Sequence, residues 1–228
     1  TKTVQRDTKA NLKEIITNLN HDPMEEDRLS DFFLRYWLSN AGYIQKDDAF
    51  EEFEKELNGL NATKFQNYIK DMKRAAKHYS SIRDASITGI RDDLSDFNSS
   101  IKQHYPLLMA ALSKGFTDDQ MSKFMDLFCA LYVRYDMARA AGRGGRVLGS
   151  EYSDWSLLIR KHGYDAVIST TLTNSDGTHK NCIKEDIIDL IESVKGHNDT
   201  GLAATFDSGG LSESQAKFIL RSTYHNGA

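Results

Sequence analysis

The chain has 228 residues, a formal net charge of -4 and a hydrophobic fraction of 39%. This hydrophobic fraction excludes a disordered chain, and the slight acidity excludes a protein whose overall field attracts nucleic acid, so DNA would need a local basic patch. Only 2 prolines and 15 glycines are present, too few for the many turns of an all-β chain of this length.

A few local features of the sequence predict the cellular compartment of the protein and whether the chain is a fragment. No stretch approaches the roughly 18 apolar residues of a membrane span, so we expect no membrane partner. The two cysteines, Cys129 and Cys182, are too few for a disulfide framework, and we predict a reducing compartment, the cytoplasm. The chain begins with Thr1 and has no apolar leader. We therefore expect a fragment of a longer protein.

Apolar residues recur at helical spacing four times in the first third of the chain. The apolar positions of these segments are, in order, Leu12, Ile15, Ile16 and Leu19; Leu29, Phe32, Phe33, Tyr36 and Trp37; Phe50, Phe53 and Leu57; and Phe65, Tyr68, Ile69, Met72 and Ala76. Pro23 ends the first helix, and Gly42 and Gly59 lie where the second and third would end. Asn61 or Thr63 is predicted to cap the fourth helix.

The remainder of the chain is also predicted to be helical, after a connector placed between Asp84 and Tyr105. Pro106 starts a short apolar helix, and Thr117 with Gln120 forms a capping-box pattern before the strongest helix of the chain. The apolar stripe of that helix comprises Met121, Phe124, Met125, Phe128, Leu131, Tyr132 and Tyr135. Further helices are centred on Tyr152, Trp155, Leu158 and Ile159, on Ile183, Ile187, Ile191 and Val194, and on Phe218, Ile219 and Leu220.

These patterns together predict an all-α fold of about ten helices in an irregular orthogonal bundle. One very short β element is placed near residues 166–180, because VISTTLTNSDGTH is first β-branched and then turn-like. We interpret residues 1–228 as a single helical domain or fragment, with a subdivision into 1–84 and 105–228 on either side of the connector.

Positive charge is concentrated around the one glycine-rich loop, GRGGRVLG at residues 142–149. The arginines of this region are Arg134, Arg139, Arg143 and Arg146. Guanidinium groups on a flexible loop suit phosphate contacts, so these four are candidate nucleic-acid ligands. The alternative is a solvated helix C-terminus, where arginine complements the helix dipole and glycine ends the helix. The loop is no P-loop, because it has no Lys and follows a helix.

Residue spacings elsewhere do not predict catalysis or a metal. No two histidines have the spacing of a metalloprotease, and His179 with Cys182 lacks a second pair of zinc ligands. The carboxylate clusters fall in helix first turns or opposite apolar stripes, where the helix dipole and water favour them. We therefore predict no catalytic residue, no metal and no cofactor in this chain.

Arg35 lies inside the aromatic run FFLRYW. Two structural roles are open to it: a cation–π contact with a neighbouring ring, or an ion pair with Asp31 four residues earlier. A functional role would require that its guanidinium face a cleft.

The segment FFLRYWLSNAGYIQKDDAFEEFEKEL resembles the helical segment of GmrSD-type restriction endonucleases. The signature residues of this resemblance are Phe33, Arg35, Tyr36 and Trp37. ATKFQNYIKDMKRAAKHYSSI, MDLFCALYVRYDMA and LSESQAKFILRSTYHN resemble later helices of that family in the same order, so the similarity covers nearly all 228 residues. The glycine-rich loop departs from the family pattern.

The resemblance implies a function for the chain. Members of that family carry an N-terminal domain with an Asp-Gly-Gln-Gln-Arg motif that handles nucleotide, and a C-terminal HNH-like nuclease domain with a His-x-x-Pro element. Neither motif occurs here. The chain would then be the non-catalytic helical part of an anti-phage restriction protein that couples these two partner domains. The alternatives are a free-standing helical interaction module with an apolar groove, or a DNA-binding module that uses the Arg134–Arg146 region.

Overall fold

The computed structural model describes residues 2–19, 26–44, 48–87, 103–136, 148–174, 176, 178 and 180–194. Within these ranges the all-α prediction is confirmed, with nine α-helices and one π-helical turn. The α-helices are α1 Lys2–Asn18, α2 Glu26–Asn40, α3 Ala49–Asn58, α4 Ala62–Arg83, α5 Tyr105–Ser113, α6 Asp118–Leu131, α7 Gly149–His162, α8 Asp165–Ile168 and α9 Ile183–Ser193. The π-helical turn, Tyr132–Asp136, follows α6 directly.

The helices form two compact units, each drawing on separate parts of the sequence. Unit 1 comprises the described parts of Thr1–Ile87, Gln103–Gly115 and Gly149–Lys161, and therefore α1 to α5 and nearly all of α7. The described part of unit 2 contains α6, the π-helical turn, α8 and α9. Unit 1 thus includes residues from both sides of the predicted connector, most of which lies outside the described residues.

Unit 1 is built around α4 and α5. α1 packs on α4, and α2 packs on α3, α4 and α5. α5 is apolar on every side, and residues 105–111 are all buried, as expected for a helix surrounded by protein. α4 buries a stripe that ends with Tyr79 and Ile82. The C-terminus of α1 is held by α4, since Arg83 Nη1 donates to the Leu19 carbonyl over 2.8 Å and the Ser80 hydroxyl donates to the Asn18 carbonyl.

Unit 2 is organised by the helix that the capping box begins. Thr117 Oγ1 accepts the Gln120 amide N–H at 3.3 Å, and Gln120 Oε1 accepts the Thr117 amide N–H at 3.0 Å. Behind this cap, α6 buries an apolar stripe in which the rings of Phe124 and Phe128 stack edge to face at 4.8 Å. α9 packs on α6, on α8 and on the π-helical turn. The capping-box prediction is therefore confirmed.

Three sequence predictions are refined by the structure. The stripe predicted as one helix changes from α to π geometry at Tyr132. The segment predicted as a short β element is α8 followed by a small hairpin, in which Asn174 N donates to Thr178 O and Lys180 N donates to Leu172 O at 2.8 and 2.9 Å. Asn61 rather than Thr63 caps α4, accepting the Lys64 amide at 2.9 Å. The helix predicted around Phe218 lies outside the described residues.

Gly42 follows α2 with a φ of +119°, which L-residues rarely adopt, in agreement with its predicted place at the helix end. Across the described ranges, no helix combines the length and apolarity needed to cross a bilayer.

Candidate functional site

The signature helix α2 presents its polar side chains toward α4 at two places. At the first, Asp31 accepts hydrogen bonds from Arg35 and from Tyr79 of α4. Arg35 Nε and Nη2 both lie 3.2 Å from Asp31 Oδ1, and the Tyr79 hydroxyl lies 2.7 Å from Oδ2. The side chains of Arg35 and Asp31 are only 16% and 20% exposed, so this ion pair is shielded from most of the solvent. The ion pair is one of the two structural roles that the sequence left open for Arg35.

The second place lies one residue further along α2, on a neighbouring face. The Tyr36 hydroxyl donates to Asp71 Oδ2 of α4 over 3.1 Å, and Arg74 Nη2 donates to Asp71 Oδ1 over 3.0 Å. Each of the two carboxylates, Asp31 on α2 and Asp71 on α4, is therefore held by one tyrosine and one arginine. We call Asp31, Arg35, Tyr36, Asp71 and Tyr79 the α2–α4 polar network.

Burial and negative charge determine the protonation of the tyrosines in this network. Desolvation, followed by the charge of Asp71, raises the pKa of Tyr36 far above its ordinary value. Desolvation and the hydrogen bond to Asp31 do the same for the pKa of Tyr79. Both phenols therefore stay protonated and act as hydrogen-bond donors at neutral pH.

Two residues at the start of α5 border the Asp31–Arg35 pair. Desolvation and the charge of Asp31 raise the pKa of Tyr105 to about 12. His104 is 2% exposed, and desolvation together with the charge of Arg35 lowers the pKa of its imidazole to about 3. His104 is therefore neutral at physiological pH, and its ring stacks edge to face on Tyr105 at 5.1 Å.

The other signature residues of α2 contribute to packing. The ring of Phe33 lies 5.2 Å from that of Phe53 and 5.6 Å from that of Phe32. The side chain of Trp37 is half-buried. The structure thus brings Phe33, Arg35 and Tyr36 into one aromatic and ionic cluster between α2, α3 and α4.

The predicted basic region is only partly described. Arg134 lies in the π-helical turn of unit 2 and is half-buried. Arg139, Arg143 and Arg146 lie outside the described residues, so their role as nucleic-acid ligands stays a prediction. Within the described ranges, no group of three His, Cys, Asp or Glu side chains is arranged to hold a metal ion.

Sequence reasoning missed Asp71 and Arg160. Both are charged residues that lie among the apolar positions of amphipathic helices, Asp71 beside Met72 and Arg160 after Ile159. That is the same signal that singled out Arg35, and it could have found them. Their partners, however, depend on which helices pack together.

The arrangement is suited to holding helices in a fixed register. Its two carboxylates each accept from a phenol that stays neutral and from a guanidinium, and such charge-assisted hydrogen bonds are stronger than those between neutral groups. No family model, curated protein or solved structure matches the chain.

Proposed function

We propose that the chain is a helical coupling domain of a bacterial anti-phage restriction protein of the GmrSD type. In this role it is not itself catalytic and uses no cofactor of its own. It connects a nucleotide- and DNA-sensing domain on one side to a nuclease domain on the other. The proposal rests on the sequence resemblance, which runs in order along nearly the whole chain.

The structural observation that supports the proposal most directly is the α2–α4 polar network. Two separate tyrosine–carboxylate bonds, Tyr79 to Asp31 and Tyr36 to Asp71, join the signature helix to the long helix α4. Two bonds on neighbouring faces resist both sliding and rotation of one helix on the other. Such a pair suits a coupling domain, because packed helices held in one arrangement can carry a displacement from one site to another.

The test is a phage-restriction assay on the complete reading frame that encodes this chain, in a phage-sensitive bacterial host. We expect the reading frame to hold an upstream Asp-Gly-Gln-Gln-Arg motif and a downstream His-x-x-Pro motif, and to restrict phage with modified DNA. Asp31→Asn should weaken restriction, because it removes the charge that holds Arg35 and Tyr79. Asp7→Asn on α1, whose side chain is 54% exposed, is the matched control. A reading frame that lacks both motifs overturns the proposal.

DNA binding by this domain is the alternative function that we propose, and its candidate ligands are Arg134, Arg139, Arg143 and Arg146. Fluorescence anisotropy of the chain with plain and modified duplexes, at two salt concentrations, tests it. We expect salt-sensitive binding that falls when Arg143 and Arg146 are both replaced by alanine, because each phosphate contact releases counterions. If the chain does not bind DNA at low salt, coupling is the only proposed role that remains.

A further inference from the structure

Arg160 on α7 is a half-buried cation whose hydrogen-bond partners are all uncharged. Its Nε donates to the Ser39 carbonyl over 2.5 Å, its Nη2 to Ser39 Oγ over 3.1 Å, and its Nη1 to Ser113 Oγ over 3.3 Å. Among the described residues, no carboxylate forms an ion pair with it. Desolvation lowers the pKa of its guanidinium, and the charge of Asp71 opposes this only in part. Buried cations are normally paired with an anion.

The guanidinium of Arg160 retains hydrogen-bonding capacity. A guanidinium has five N–H groups, and three are used in the bonds to Ser39 and Ser113. One N–H remains on each terminal nitrogen. Both groups lie in the plane of the guanidinium, and each can donate to an oxygen of an anion.

Two more basic side chains, Arg74 and His78 on α4, lie within electrostatic reach of Arg160. Asp71, Arg74 and His78 are spaced i, i+3 and i+7, so they share one face of that helix. Desolvation, followed by the charges of Arg160 and Arg74, lowers the pKa of the His78 imidazole, so His78 lies within electrostatic reach of both arginines. His78 makes no hydrogen bond to another residue in the described ranges. Arg74 is 74% exposed, so the group is open to solvent on this side.

The charge of this group is positive even though it contains a carboxylate. We call Arg74, His78 and Arg160, with Asp71 beside them, the arginine cluster. Its two guanidinium groups and one carboxylate leave one positive charge while His78 is neutral, and two once His78 is protonated. The charge of Asp71 partly offsets that of Arg160, and its oxygens also accept from Arg74 at 3.0 Å and from the Tyr36 hydroxyl at 3.1 Å.

We propose that the arginine cluster is a binding site for a dianionic phosphate group. Arg160 supplies the two free N–H groups, Arg74 adds a second guanidinium from the solvent side, and His78 donates as an imidazolium. A phosphate monoester carries about -1.5 to -2 charges at pH 7, which matches the doubly positive form of the cluster. A carboxylate or a phosphodiester carries one negative charge and leaves half of the cluster's positive charge uncompensated.

Binding by this site has a spectroscopic signature. In the free protein, desolvation, Arg160 and Arg74 lower the pKa of His78, and Asp71 opposes them weakly. A bound dianion reverses the effect of the two arginines, because it favours the charged imidazolium. We therefore expect phosphate to raise the pKa of His78 by on the order of one unit.

The experiment follows the His78 imidazole resonances by NMR while inorganic phosphate is added to the chain at constant ionic strength. Phenyl phosphate, a dianionic monoester, and dimethyl phosphate, a monoanionic diester, are titrated in parallel. We expect saturable shifts with inorganic phosphate and much weaker ones with dimethyl phosphate. Equal binding of phenyl phosphate indicates a phosphate carried on a larger ligand, and binding of inorganic phosphate alone indicates the free anion. Either outcome supports the site.

Two variants distinguish phosphate binding at the arginine cluster from unspecific electrostatic attraction. Arg74→Gln should weaken phosphate binding at least tenfold and leave the fold intact, because that side chain is largely exposed. Arg6→Gln on α1, 82% exposed, removes the same charge from the same unit and should have no effect. Arg160 is not the diagnostic position, because it also holds the end of α2 through Ser39. Shifts that do not saturate, equal losses in the two variants, or equal binding of dimethyl phosphate overturn the proposal. Its failure leaves the coupling role untouched.

Discussion

Tyr79 and Asp31 are 48 residues apart in sequence, and their side chains are joined by a hydrogen bond of 2.7 Å between the phenol and the carboxylate. The bond connects two helices at a point that is nearly closed to solvent, since Tyr79 is 2% exposed. Asp31 also holds Arg35. One carboxylate therefore fixes both a neighbour on its own helix and a partner on α4.

Tyr79→Phe tests this bond directly. The substitution keeps the ring and its edge-to-face contact with Phe32, and removes only the hydroxyl. We expect a loss of about 2 kcal/mol in the free energy of unfolding, because a hydrogen bond to a charged group is lost in a buried place. Urea denaturation monitored by circular dichroism measures it. Tyr43→Phe, at a position 56% exposed, is the control, and equal effects of the two substitutions would contradict the assignment.

His104 should make the protein sensitive to acid. Its pKa in the folded state is about 3, below the ordinary value of 6.5, so the unfolded chain takes up a proton at a pH where the folded chain does not. This contribution to stability is complete above pH 6.5. It is lost as the pH falls toward 3, at about 1.4 kcal/mol per pH unit.

The acid sensitivity is measured by urea denaturation at several pH values between 7.5 and 4. His104→Phe keeps an aromatic ring against Tyr105 but cannot bind a proton. We expect a shallower loss of stability with acid in this variant, whatever its stability at pH 7.5. Parallel pH profiles for the two proteins would show that His104 is not responsible.

Ala85 lies at the end of α4 in a conformation that favours glycine. Its φ is +47°, and the bonds from Ala85 N to Ile82 O and from Ser86 N to Ser81 O form the Schellman pattern that usually has glycine at this position. We expect Ala85→Gly to raise the free energy of unfolding by about 1 kcal/mol, because it removes the strain of the left-handed conformation. Ala10→Gly, at an exposed position inside α1, should lower it by a similar amount. A loss of stability in Ala85→Gly would refute the explanation.

The cap of α6 is expected to account for much of the local stability of that helix. Thr117→Ala removes the oxygen that accepts the Gln120 amide, and we expect a loss of about 1 kcal/mol. Thr63→Ala, at an exposed position in the first turn of α4, is the matched control and should change little. Chemical denaturation of both variants measures the loss in the free energy of unfolding. A similar loss at both positions would mean that the cap is not the cause.

The local part of this fold could be predicted from the sequence because helices are held by contacts between near neighbours. Apolar residues three and four positions apart predicted α2, α6 and α9, and the Thr117–Gln120 spacing predicted the capping box that begins α6. Pro106 likewise predicted the start of α5. Each of these signals lies within one or two helical turns, so no knowledge of the tertiary arrangement is needed.

The polar networks depend on the tertiary structure. For Arg35 the sequence left a cation–π contact and an ion pair open, and the packing of α2 beside α4 decided for Asp31, which Tyr79 also holds. Tyr36 meets Asp71 over 35 residues, and Arg160 reaches the Ser39 carbonyl over 121. A charged residue among the apolar positions of an amphipathic helix indicates, from the sequence alone, that its side chain needs a partner. Which partner it finds depends on how the helices pack together, because side chains from distant parts of the sequence become neighbours only there.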